Sequence, residues 1–295
     1  MSPSRLRLVT WVGLASAALW SAAGCGGATQ PAAAPVPVPT PASAPASPSD
    51  FPTSPASSAS SAPAAPAAAS PVPASRSLAG KVIAVDPGHN GNAGAHPEII
   101  NKLHDAVSKW KPCETTGTQT NAGYQEAAFT FDVATRLTAI LRAAGATVVL
   151  TRTNNTGVGP CFDERAAIGN RAHANVAISI HADGAPASAH GFHVLVPVDV
   201  HGPSTAILVP SRRLGVDVRD AYRTGTGLPP ANYIGTDGIN PRSDMGGLNL
   251  STVPKVMLEC GNMRNAGDAA RLTGAAFRQR IAAAIAAGLA RFLTG

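Results

Sequence analysis

The stretch Val82-Ile83-Ala84-Val85-Asp86-Pro87-Gly88-His89 decides how the rest of the chain is read. Its four leading apolar residues, two valines and an isoleucine among them, read as a buried strand, because β-branched side chains suit a pleated surface. Asp86-Pro87-Gly88 stops the strand: proline lacks a backbone donor and glycine allows a sharp turn. His89 is delivered just past the strand's carboxyl end, where open α/β sheets hold ligands. A histidine after a strand is more often an ordinary loop residue, so His89 becomes a candidate metal ligand only if other segments bring it partners.

Outward from this strand, the chain alternates. Strands are expected at Lys81–Val85, Thr147–Thr151, Val176–Ile180, Phe192–Val196 and Lys255–Glu259. Helices are expected at Glu126–Ala144, Asp163–Ala174, Arg212–Arg223 and Ala275–Leu293. Such alternation predicts an α/β fold: one domain over residues 78–295, with a twisted, mostly parallel sheet and helices on both faces. Phe277, Ile281, Ile285, Leu289 and Phe292 form one stripe on the last helix, enough to cover a sheet face. Residues 90–123 have weak periodicity. Loops of that size are usually lids, binding loops or disordered, and because these residues leave directly from His89 and return directly to the Glu126 helix, they are expected to lie over the site.

Upstream, residues 1–24 resemble an export signal. Arg5 and Arg7 precede an apolar run from Leu8 to Trp20, too short for a comfortable membrane span. Ala22-Ala23-Gly24-Cys25 resembles a lipoprotein box that would lipidate Cys25, although Ala22 stands where leucine is usual and plain cleavage is the alternative. Residues 25–77 are rich in Pro, Ala and Ser. They cannot bury enough apolar surface to offset their ordering entropy and are expected to form a disordered, semi-rigid tether.

The net charge is +6 over 295 residues. Arg5, Arg7 and Arg76 stand against Asp50 before residue 78, leaving 20 basic and 16 acidic residues in the domain. This mild excess suits an anionic polymer. With no basic stripe interleaved with aromatics, it argues against nucleic acid. The four cysteines, Cys25, Cys113, Cys161 and Cys260, include no CxxC pair, which disfavours a thiolate zinc knuckle. Cys113 and Cys161 both fall in expected loops and can pair outside the cytoplasm, two free thiols being the alternative. A bridge closing that loop contributes about 4 kcal/mol in the chain-entropy model.

Three further residues complete a constellation. Glu126 shares a helical stripe with Phe129, Val133 and Leu137, so it faces inward at the first turn, where a carboxylate needs compensation. A helix-start glutamate held by free N–H groups is the competing reading and explains its position but not its direction. His181 ends the strand Val176-Ala177-Ile178-Ser179-Ile180, and Glu259 ends Val256-Met257-Leu258. Two neutral imidazoles and one carboxylate make a three-ligand zinc site with an open fourth position for water. A second carboxylate nearby can take a proton and pass it to a leaving amine. The residues alone therefore point to a zinc hydrolase of unspecified substrate.

In order along the chain, Asp86-Pro87-Gly88-His89, Glu126 with its amphipathic helix, Thr151-Arg152, Arg165 through Asn170, Ser179-Ile180-His181-Ala182 and Leu258-Glu259-Cys260-Gly261 with Asn265 resemble the zinc-dependent N-acetylmuramoyl-L-alanine amidases of bacterial cell walls. The resemblance spans residue 81 to the C-terminus. It implies one zinc ion per chain on His89, Glu126 and His181, with Glu259 as acid/base. It also implies cleavage of the amide joining N-acetylmuramic acid to the L-alanine of the stem peptide. The chain departs from the family at Asn90, at Asp183, at Cys260–Arg264 and in the length of residues 92–120. These affect the expected groove more than the reaction.

The expected protein is thus an exported peptidoglycan hydrolase of the periplasm or cell envelope, membrane-anchored through Cys25 and monomeric. A wall-binding lipoprotein without turnover, or a zinc peptidase or deacetylase on another polymer, are the alternatives. Of the other histidines, His193 reads as a strand residue facing one side and the rest as surface or loop residues. Arg165 reads as a structural ion-pair partner, and Arg264 has only a weak claim on a substrate carboxylate.

Overall fold

The computed structural model describes residues 77–295. The expected export signal, Cys25 and all but the last residue of the tether lie outside the described residues. Among the described residues there are eight strands: β1 (Val82–Pro87), β2 (Leu103–Asp105), β3 (Trp110–Pro112), β4 (Thr147–Leu150), β5 (Val176–Asp183), β6 (His193–Pro197), β7 (Ile239–Arg242) and β8 (Lys255–Asn262). Seven α-helices accompany them: α1 (Pro97–Ile100), α2 (Glu126–Ala143), α3 (Phe162–Arg171), α4 (Leu208–Thr226), α5 (Gly246–Asn249), α6 (Ala266–Leu272) and α7 (Ala275–Thr294).

Six strands form the main sheet in the order β4-β1-β5-β8-β6-β7. The first four run parallel, β6 is antiparallel to β8, and β7 is parallel to β6. The mostly parallel sheet expected from the alternation is therefore present, and so are all five expected strands. Three strands escaped the pattern for physical reasons. The edge strand β7 reads Ile-Asn-Pro-Arg, with a proline of the kind only an edge tolerates. The β2–β3 hairpin has three-residue strands with largely exposed side chains, so it shows no buried alternation.

The two sheet faces are covered unequally. Ile83, Val85, Ile178, Ile180, Val256 and Leu258 share one large core cluster with Phe129, Val133 and Leu137 of α2, Leu214 and Val218 of α4, and Ile281, Ile285 and Leu289 of α7. On the opposite face Ala84 and Ala177 form a small cluster with Ala174 and Val253, and Leu195 and Met257 another with Leu248. Burial on both faces makes the strands read as continuous apolar runs. The thin face is where Asp86, Ser179, His181, Met257 and Glu259 lie by strand alternation.

Candidate metal centre

The site forms where β1, β5 and β8 end. β1 carries through Pro87, whose missing N–H costs nothing because β4 has already ended; the last β1–β4 pair is Val85 with Leu150. The carbonyls beyond that pair are captured by two arginines. Arg152 donates to the carbonyls of Pro87 (2.9 Å) and Gly88 (3.1 Å), and Arg165 to those of Pro87 (2.8 Å) and His89 (2.9 Å). Burial, then the neighbouring Arg165, lowers the Arg152 pKa to about 10, which leaves it charged at neutral pH. Thr151-Arg152 and Arg165 thus hold the turn that carries His89, in keeping with a structural role for Arg165.

The roles of Gly88 and His89 in this turn are the reverse of what the turn reading implies. His89 itself takes the left-handed conformation, with φ 58°. Gly88 is required for space: a Cβ there would lie 2.2–2.6 Å from the imidazole of His181. A non-glycine residue at positive φ is uncommon and tends to persist where surrounding contacts over-determine it.

Asp86 lies beneath. It accepts hydrogen bonds from Thr151 Oγ1 (2.6 Å), Ser179 Oγ (2.6 Å) and Arg165 Nη1 (2.7 Å), and Lys255 Nζ stands 4.0 Å away. Burial would raise its pKa. The charges of Arg165 and Lys255 and the two hydroxyl donors outweigh that and hold it well below the ordinary carboxylate range. Sequence alone assigns Asp86 only a strand-stopping role; it is instead the charged foundation of the turn.

Above this foundation three side chains converge. Glu126 Oε1 is 3.0 Å from His89 Nε2 and 3.0 Å from His181 Nδ1, and the two nitrogens are 3.1 Å apart. An ion about 2.0–2.2 Å from each donor would spread a tetrahedral set to roughly 3.3–3.6 Å, so an opening of about half an ångström or less is needed. Glu126 does not cap its own helix. Its Oε1 accepts from Ala182 N (3.1 Å) and its Oε2 from Thr118 N (2.9 Å), which removes the competing reading. Burial disfavours its charge, but His89 and His181 pull its carboxyl well below the usual range. Burial also opposes a charge on His89, and Glu126 and Glu114 overcome it.

Glu259 stands beside this cluster as the Cα partner of His181 on one side and of His193 on the other. It lines the same cleft, a space of ≈ 350 Å³ that also includes His89, Glu126 and His181. Its Oε2 is buried and has no hydrogen-bond partner among the described residues. Burial, and then the like charges of Glu126 and Asp183, push its pKa well above the ordinary value. The converging donors, the orphaned carboxylate oxygen and the room kept by Gly88 fit a bound cation and a water-sized reactant.

Residues 90–123 are folded, not open loop: they contain α1 and the β2–β3 hairpin, and Cys113 is bonded to Cys161 (S–S 2.06 Å). Their segment 111–118 lines the cleft. Gly117, at φ 74°, passes so close that a Cβ would lie 2.9 Å from both Glu126 Oε2 and His89 Cδ2. Two contributors here were not read from sequence. Glu114 and the Thr115 carbonyl approach His89 Nδ1 at 3.2 and 3.1 Å. Their signal was adjacency to Cys113, the residue expected to tie the lid down. His193, buried and facing the site, meets Asp183 Oδ2 at 3.0 Å, and the Tyr233 hydroxyl donates to the same oxygen at 2.7 Å. Arg264 is exposed and does not line the cleft. Cys260 is buried and free.

A family model for N-acetylmuramoyl-L-alanine amidases matches residues 83–291. The chain is 42% identical over 226 residues to an N-acetylmuramoyl-L-alanine amidase of Mycobacterium tuberculosis, covering 76% of this chain and 90% of that protein. Among solved structures, the amidase Ami1 of Mycobacterium smegmatis is 42% identical with a TM-score of 0.69, covering 74% of this chain and 98% of that one. The apo form of Ami1 from Mycobacterium abscessus is 39% identical with the same TM-score of 0.69, covering 74% and 100%. With residues 83–291 matched by the family model and nearly the whole length of these relatives covered, the chain belongs to the N-acetylmuramoyl-L-alanine amidase family.

Proposed function

We propose that the chain is an exported monozinc amidase that cuts peptidoglycan between N-acetylmuramic acid and L-alanine, with His89, Glu126 and His181 as ligands and Glu259 as acid/base. The observation that carries this is the convergence of His89 Nε2, His181 Nδ1 and Glu126 Oε1 within 3.1 Å beside the unpartnered Oε2 of Glu259. Zinc, when bound, supplies Lewis-acid activation of the scissile carbonyl and of water. The chain supplies the proton handling. Glu259, raised by burial and by neighbouring carboxylates, is a stronger base than an exposed glutamate. It accepts a proton from the attacking water and delivers it to the alanine nitrogen as the C–N bond breaks.

The wall near the β2–β3 hairpin supports an acidic peptide as substrate. Lys111 Nζ donates to the Asp244 carbonyl (2.9 Å), Arg242 grips the Asp244 carboxylate through two 2.8 Å bonds, and Lys109 Nζ lies 3.7 Å from it. Three cations thus gather around one acidic residue, which leaves an electropositive rim. Among the described residues no helix is long and apolar enough to cross a membrane. The reading of an envelope lipoprotein therefore rests on Arg5, Arg7, the 8–20 apolar run and Cys25. Replacing Cys25 with serine should move the chain from the membrane to the soluble envelope fraction.

The full chain loaded with zinc should release stem peptides bearing free L-alanine N-termini from a defined muropeptide, read by mass spectrometry. Breakage of glycan or peptide–peptide bonds with the lactyl amide intact would overturn the reading. Glu259→Ala should keep one zinc per chain while turnover falls by about 10²–10⁴, and His181→Ala should lose the metal.

A further inference from the structure

The ring of His89 has two nitrogens with different neighbours. Nε2 faces Glu126 and His181, so the ring proton of a metal-bound His89 must reside on Nδ1. Nδ1 meets Glu114 Oε1 at 3.2 Å and the Thr115 carbonyl at 3.1 Å. The Glu114 side chain is 12% exposed, and its second oxygen lies 3.4 Å from Arg165 Nη2. The Glu114 carboxylate thus lies between the His89 ring and the Arg165 guanidinium. A carboxylate on the far nitrogen of a ligating imidazole fixes the tautomer and the ring orientation and raises the nitrogen's basicity. Orientation matters here because His89 sits at positive φ, where the backbone alone does not favour the required pose.

One covalent link ties Glu114 to the helix that carries Arg165. Cys113 immediately precedes Glu114. Cys161, its disulfide partner, is the N-cap of α3, the helix that carries Arg165. Phe162 N donates to the Cys113 carbonyl (3.1 Å) and Arg165 N to that of Cys161 (3.0 Å). Within the lid, Cys113 N donates to Lys102 O (2.7 Å) and Glu114 N to Ile100 O (3.2 Å).

We propose that Glu114 is a positioning residue for His89 and that the Cys113–Cys161 disulfide holds it in place, so that zinc affinity depends on this bond. The proposal rests on reading His89, Glu126 and His181 as the zinc ligands. A chain that has not yet formed the disulfide then holds zinc more weakly than the oxidised chain, which couples metal loading to an oxidising compartment.

The test is a zinc titration of the metal-free full chain against a chromophoric chelator, with circular dichroism confirming that each variant is folded. Glu114→Ala should weaken zinc binding about 10–100-fold. Glu114→Gln, whose amide oxygen can still accept from Nδ1–H, should recover most of that loss, a rescue that a purely steric role would not give. The Cys113→Ser/Cys161→Ser pair should weaken binding at least about fivefold, and adding Glu114→Ala to it should cost no more than Glu114→Ala alone, the signature of two groups acting through one contact. His181→Ala separates the levels. If it binds zinc like the wild type, the ligand reading has failed. If it loses zinc while Glu114→Ala and the double serine variant bind normally, the positioning role alone is overturned. Losses that multiply in the triple variant would overturn the link between the disulfide and Glu114.

Discussion

At the residue scale, this site is governed by side chains that hold other groups as much as by those that would react. Asp86 compensates Arg165 and Lys255 inside the protein, and both cations are buried to within 4% exposure. Breaking a buried pair by removing one partner typically costs about 3–5 kcal/mol, so Asp86→Asn should lose that order of stability at pH 7 in urea unfolding. Its pKa is depressed on folding, so the stabilisation is present above the unfolded value of about 3.9 and is lost as pH falls through the folded value. The wild type should therefore weaken steeply below about pH 4, and Asp86→Asn should show a flatter profile there. Gly88→Ala tests a different point. Its methyl would intrude on the His181 ring, so zinc affinity should fall in a protein that still unfolds cooperatively.

At the scale of elements, helix packing depends on small residues that sequence patterning places but does not explain. Gly288 of α7 lies so near α4 that a Cβ would be 2.7 Å from Val218 Cα and 3.1 Å from the Asp217 carbonyl. Backbone cannot yield as a side-chain tip can. Gly288→Ala should cost about 1–3 kcal/mol, read as a drop in thermal midpoint, with turnover per folded molecule unchanged. The elements that were legible in the sequence were those buried on both faces or on one long stripe. All four expected helices are present, and α4 runs longer than expected, from Leu208 to the left-handed cap at Gly227. The β2–β3 hairpin was not legible because exposed three-residue strands carry no hydrophobic period. The short helix α6 escaped for lack of length, although the Asn265 side chain caps it by accepting from Gly267 N and Asp268 N.

At the scale of the whole molecule, the thick helical layer on one face and the thin one on the other leave the site on the thin side, with the lid folded against it. The core clusters described above draw on residues from Leu78 to Phe292. A chain beginning at residue 78 should therefore unfold in one cooperative transition and should cleave a soluble muropeptide as fast as the longer chain. Against intact cell walls the shortened chain should be slower if the tether serves to place the domain. Metal removal acts globally too. A ligand that binds only the folded state stabilises it by about 2.7 kcal/mol at a hundred times its dissociation constant, so chelation should lower the thermal midpoint of the wild type and leave that of His181→Ala unchanged.

The amino-acid sequence by itself determined the sheet's central strands, the long helices, and the four chemically distinctive residues at their ends. Each of these obeys a local rule: β-branched runs make strands, a 3.6-residue stripe turns Glu126 inward, and a strand presents the residue at its carboxyl end to the site. The tertiary structure decided the rest, because the remaining contacts join segments far apart in the chain. Only folding brings Thr151, Arg165 and Ser179 onto Asp86, lays the His181 ring against Gly88, and sets Glu114 on the far nitrogen of His89. No periodicity records a pairing between residues 25 to 93 positions apart, and the supporting shell of the site consists of such pairings.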